Sequence, residues 1–175
     1  MMRGCCTDAA VPFLKFMKTK RITLISVMAA AALIIFIIEA QFPLPFPIPG
    51  IKLGLANIIT LTSIVWLGKK DAFAVLLLRI VLGSIFTGNT VTLVYSAVGG
   101  LTAYLAMLAA IAVLKNIIAA SIVGALGHNI GQIIAAAVIS HTVQIIYYLP
   151  ILIISGVLTG LFTGIVAAAV LRRLM

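Results

Sequence analysis

Apolar residues run along this chain in long blocks, and polar or helix-breaking residues interrupt them at only a few places. Residues 22–40 form the first block, entered through Lys18, Lys20 and Arg21, and it gives way to Gln41-Phe-Pro-Leu-Pro-Phe-Pro-Ile-Pro-Gly50. A second block, 53–67, stops at Gly68-Lys-Lys-Asp71. A third, 72–86, stops at Thr87-Gly-Asn89, and a fourth, 90–114, at Lys115-Asn116. As one helix, residues 117–148 would be roughly 48 Å long against a bilayer core of about 30 Å, so this stretch must break or protrude. The pattern predicts a fifth helix over 117–139 and an outer connection over 140–149. A sixth helix then starts at Pro150, a residue suited to a first helical position. No block alternates strictly between apolar and polar, which disfavours a barrel; in lipid, helices then satisfy the backbone.

Composition turns six apolar helices into a membrane protein. Hydrophobic residues make up 64% of the chain, charged residues 9%, and the mean hydropathy is +1.33. Soluble domains carry roughly 45–50% and about 25%. The expectation is an all-α, polytopic integral membrane protein of about six transmembrane helices, with a basic N-terminal segment over 1–21 and one transmembrane domain over 22–175. The formal net charge of +9 does not point to nucleic acid, because the basic residues sit at helix ends rather than on one face. Under six-span alternation Arg3, Lys15, Lys18, Lys20, Arg21, Lys69, Lys70, Lys115, Arg172 and Arg173 fall on one side and Lys52 on the other. The positive-inside rule then places both termini in the cytoplasm of a multi-pass protein of the cell membrane. Cys5 and Cys6 are adjacent and lack a CxxC spacing; two reduced cytosolic thiols are expected, with lipidation as the alternative.

The proline-spaced strip 42–50 is stiff, and its interleaved Phe42, Leu44, Phe46 and Ile48 are too apolar for water. It is expected to fold onto the bundle as a cap. Polar side chains at membrane depth are costly and by default face the interior or a cavity. In the fifth helix His128 and Gln132 are four apart and Asn129 and Gln132 three apart, so they are neighbours on one helix. They are candidates for ligand contact, or for tying helices together. Gly127 and Gly131 form a small-xxx-small pair that admits another helix. Glu39, beside the cap, is a candidate for a substrate amine or for Lys52. Arg79, about 15 Å away in height from Glu39 and serving a separate purpose, is expected to snorkel towards the cytosol, with holding a helix end or facing an anionic group as the alternatives. Asn57, Asn89, Tyr95, His141, Gln144, Tyr147 and Tyr148 could converge around one outward-facing pocket; for each single tyrosine an interfacial aromatic belt is the favoured reading.

Asp8, Glu39 and Asp71 are the only carboxylates in the chain. They are too few for the aspartate-rich clusters that hold magnesium on a prenyl diphosphate, and no GxxxxGK[ST] loop is present for ATP. Neither a metal site nor a cofactor is expected, and the chain is read as not an enzyme.

Met28-Ala-Ala-Ala-Ala-Leu33, the Pro-Phe loop after it, and Ile51-Lys-Leu-Gly-Leu-Ala-Asn57 resemble the substrate-binding S component of energy-coupling-factor (ECF) transporters. Together with Leu78-Arg-Ile-Val-Leu-Gly83 and Ser96-Ala-Val-Gly-Gly100 they resemble more narrowly the family known both as Gx transporter and as heptaprenyl diphosphate synthase component I. The resemblance implies a six-helix module that captures a vitamin or other small metabolite in an outward pocket beneath the first loop. It also implies a membrane coupling subunit and two cytosolic ATPases as partners. In such proteins small residues in the cytosolic half of the first helix, often AxxxA, dock on the coupling subunit. Here the strict spacing fails at Leu33, leaving Ser26 with Ala30, and Ala29, as the candidate interface. A different class of function, a non-catalytic membrane accessory subunit of an isoprenoid or menaquinone-pathway prenyl diphosphate synthase, stands beside it.

Overall fold

The computed structural model of the chain describes residues 10–41, 54–88 and 90–174. It is all-helical there: α1 (Ala10–Gln41), α2 (Asn57–Trp66), α3 (Lys69–Thr87), α4 (Thr90–Leu114), α5 (Ile117–Ser140) and α6 (Leu149–Leu174). A 3-10 turn, Val143–Tyr148, joins α5 to α6. The breaks fall where the polar interruptions predict them. Asn116 starts α5 by accepting the amides of Ile118 and Ala119 on its side-chain oxygen, at 2.9 and 3.2 Å. The expected cap over 42–50, Lys52, Asn89, Asp8, Cys5 and Cys6 lie outside the described residues.

Among the described residues, four stretches are long and apolar enough to cross a membrane: Thr19–Gln41, Thr90–Leu114, Ile117–Ser140 and Gln144–Leu174. The other two helices differ from the expected spans. α2 has 10 residues, roughly 15 Å, because its first turn starts only at Asn57. It is too short to cross alone. α3 has 19 residues but includes Lys69, Lys70, Asp71 and Arg79. α1 extends back to Ala10, through the expected basic segment.

The helix directions follow from specific contacts. Arg21 meets Asp71, and Phe36 lies against Gly83, so α1 and α3 run parallel. The hydroxyl of Tyr104 donates to the Lys69 carbonyl at 2.7 Å, which brings the later half of α4 to the start of α3. Gly156, Gly160 and Gly164 face Asn129, Ile122 and Ile118 in turn, so α6 runs antiparallel to α5. Arg21, Lys69, Lys70, Lys115, Arg172 and Arg173 therefore gather at one end of the bundle, called here the basic end. Arg21 spans both carboxylate oxygens of Asp71 at 2.6 and 2.5 Å, fixing α1 to the first turn of α3.

The short α2 is the hub, packed against all five other helices. Its second half, Leu61 and Ile64, joins Leu76, Tyr104, Met107 and Ala120 in an apolar core towards the basic end. Its first half faces the other end, where the interior is polar. The outside reverses the pattern of a soluble protein: Ile34, Ile85, Leu105, Val138 and Leu158 are all more than half exposed. Such an apolar surface matches hydrocarbon rather than water.

Candidate functional site

Glu39 closes the site from α1. Its two carboxylate oxygens accept the backbone amides of Gly54 at 2.6 Å and Leu55 at 3.0 Å, just ahead of α2. Free amides and the helix dipole both favour an anion there. Gly54 has φ of +79°, and a Cβ on it would come within 2.9 Å of both the Asn57 amide nitrogen and His128 Cδ2. Glycine thus serves both the turn and the close approach of the backbone to the imidazole.

The other side of the His128 ring is α4. A Cβ on Gly99 would lie 3.1 Å from His128 Cε1 and Nδ1, and 3.0 Å from Gln132 Cγ. The neighbouring Gly100 makes room for another group, since a Cβ there would sit 3.2 Å from Arg79 Nη2. One Gly-Gly step on α4 therefore seats His128 and Gln132 at one position and Arg79 at the next.

Arg79 does not snorkel. It is 2% exposed, and its guanidinium carbon lies 5.9 Å from the centre of the Phe36 ring, one helical turn below Glu39. Glu39 is the carboxylate whose charge acts on it. The expected separation of about 15 Å compared backbone heights along ideal axes. It took no account of where the side chain itself lies, which is against Phe36 and beside Gly100.

Asn57 stands at the centre of this group, 3% exposed. Neither its amide nitrogen nor its carbonyl oxygen has a hydrogen-bond partner, and both are sealed from solvent. The hydroxyls of Thr60 and Ser63 further along α2, and Arg79 Nε, are in the same condition. A buried polar group left unmatched costs about 1–3 kcal/mol, so several of them in one short helix and its neighbour are an anomaly for a purely structural core.

Other polar groups are used in helix packing. Asn129 donates to the Leu152 carbonyl at 2.7 Å, beside Gly156, and ties α5 to α6. Thr102 donates to the Gly127 carbonyl at 2.8 Å, and Ser121 bonds Thr163 at 2.8 Å. Gly131 lies against Val98 and Gly99, so the Gly127/Gly131 pair does admit α4.

The structure thus brings Glu39, Asn57, His128 and Gln132 together, with Asn129 on the α6 side. Tyr95 is buried one turn from Gly99, against Ala135 and Ala136. His141 ends α5 in a left-handed conformation and is exposed, as are Gln144 and Tyr147; none of these three joins the buried group. Tyr148 is half-buried against Ile133 and Leu152. Of the candidate interface, Ala29 is 3% exposed and packs inside this chain, while Ser26 and Ala30 are open. A shallow cavity of about 430 Å³ opens between the ends of α1 and α3, lined by Ile37, Ala40, Gln41, Phe86 and Thr87. None of the clustered polar residues lines it.

Sequence reasoning missed Arg79, Thr60 and the three glycines at this site. The adjacent glycines 99 and 100, inside an otherwise continuous helix, were the available signal.

These features define an all-helical bundle with an apolar exterior suited to a membrane and a polar interior at one end. The chain belongs to the heptaprenyl diphosphate synthase component I family, whose model matches residues 28–170. Comparison with curated proteins and with solved structures finds no match.

Proposed function

We propose that this chain is a non-catalytic substrate-binding subunit of an uptake transporter of the ECF type, with its basic end in the cytoplasm and all six helices in the cell membrane. The observation that carries the reading is Asn57: a buried amide, unmatched on both atoms, at a junction of α1, α2, α4 and α5. Unmatched buried groups in an otherwise well-packed membrane interior mark ligand sites by default. A small metabolite enters from the far end, where Gly54 and the turn at Leu55 and Ala56 open α2. A coupling membrane subunit and two ATPases release it to the cytoplasm. Ser26 and Ala30 remain the docking candidates on α1.

The second reading is an accessory subunit of a prenyl diphosphate synthase; the family's description is compatible with both readings and favours neither. The two separate on purification of the tagged chain from native membranes in mild detergent. Stoichiometric recovery of a membrane subunit with ATPases supports transport. Recovery of an aspartate-rich synthase without ATPases overturns it.

A further inference from the structure

We infer that the ligand of this site is a neutral molecule presenting a hydrogen-bond donor and acceptor side by side, as an amide, lactam or ring imide does, and that Asn57 reads that edge. The inference rests on the substrate-capture reading and narrows it to a chemical class.

The charge balance of the site comes first. Among the described residues, the bundle interior beyond Asp71 holds one carboxylate, Glu39, and one guanidinium, Arg79. Both oxygens of Glu39 already accept backbone amides, at 2.6 and 3.0 Å, so it is poorly placed to receive a ligand ammonium. The one carboxylate and the one guanidinium cancel in formal charge, and Glu39 is the carboxylate that acts electrostatically on Arg79. A carboxylate or phosphate entering here would bring a third buried charge with no counterpart. A neutral ligand leaves the balance intact.

The pattern of unmatched atoms comes second. Asn57 offers one acceptor and two donors on a single plane, and neither end is matched. A partner with C=O and N–H adjacent pairs with both at once. A carboxylate would satisfy the nitrogen and set its negative oxygen against Asn57 Oδ1. The Thr60 hydroxyl, one turn on from Asn57, serves as donor or acceptor, and Arg79 Nε is a donor, so the groups beyond Asn57 suit a polar, uncharged body. Because these atoms are sealed from solvent, a ligand reaches them only when the packing around Gly54 parts. Capture and closure are then one event.

The test uses the full chain in detergent micelles and follows thermal unfolding with a metabolite set. Each neutral amide, lactam or imide is paired with a carboxylate of the same skeleton, nicotinamide with nicotinate and uracil with orotate among them, and inorganic diphosphate is the anion control. At least one neutral member is expected to stabilise the wild-type chain while its carboxylate partner does not. In Asn57→Leu the affinity for that compound should fall about 10- to 100-fold. The ligand-free variant should be as stable as wild type or more so, because an apolar side chain of similar size replaces an unmatched amide. A residue with a merely structural role would move stability in the opposite direction.

Stabilisation only by a carboxylate, diphosphate or amine overturns the inference and leaves substrate capture standing. Stabilisation by a neutral member that survives unchanged in Asn57→Leu also overturns it. No response to any compound, together with co-isolation of a synthase, overturns both. Should Asn57→Leu fail to fold, the paired comparison on the wild-type chain decides the matter alone.

Discussion

Glu39 on α1 holds the amide of Gly54 at 2.6 Å, and this contact joins the first helix to the start of the central one across the far end of the bundle. The charge of the same carboxylate also acts on Arg79 of α3. Three helices therefore depend on one side chain.

Glu39→Gln keeps one acceptor oxygen but sets an NH2 donor against the other backbone N–H, so one of the bonds to Gly54 and Leu55 is lost, and it removes the negative charge that acts on Arg79. The expected loss is about 1.5–3 kcal/mol, read by reversible unfolding in detergent. In a double-mutant cycle with Arg79→Met the two losses should be less than additive, by about 0.5–3 kcal/mol. Strict additivity would mean that the two residues act independently.

Asn129 is assigned to packing rather than to ligand. Asn129→Ala should lower stability by about 0.5–2 kcal/mol, the range for interhelical hydrogen bonds in membranes. Ligand affinity measured at a temperature where the variant is folded should stay within a few-fold of wild type. Loss of binding at full stability would move Asn129 into the site.

Gly160 on α6 permits close approach to α5, where an added Cβ would come within 2.6 Å of Ile122 Cα. The obstacle is backbone, which cannot rotate aside. Gly160→Ala should cost about 1–3 kcal/mol. An unchanged melting temperature would show that the two helices have slack at this point.

Arg21 and Asp71 link α1 to α3 at the basic end, where the arginine side chain is 59% exposed. Asp71→Asn should destabilise only slightly, and less at high salt than at low salt. The exchanged pair Arg21→Asp with Asp71→Arg should recover part of the loss. Recovery is read as the melting temperature at low ionic strength.

Much of the helical framework was legible because each break is written in residues that act locally. Gly68, Thr87-Gly88 and Lys115-Asn116 stop or start helices through backbone conformation and capping, which need no tertiary partner. The start of α2 was not legible in the same way. Residues 53–56 are as apolar as the helix after them, and what delays the helix is Gly54, held by Glu39 from another element. The site was readable as a list and not as an arrangement. Asn57, His128 and Gln132 stood out as polar residues in apolar blocks, but their meeting depends on Gly54 and Gly99. Arg79 was misjudged because a residue count gives the height of a Cα and not the direction of a long side chain.

The most direct test of substrate capture is mass spectrometry of the small molecules that remain on the chain after purification in mild detergent, with wild type and Asn57→Leu prepared in parallel. Wild type should carry one small molecule at near-stoichiometric amount, and Asn57→Leu, folded to the same degree, should carry little or none. Equal retention by both proteins, or none on wild type, would contradict a binding site at Asn57.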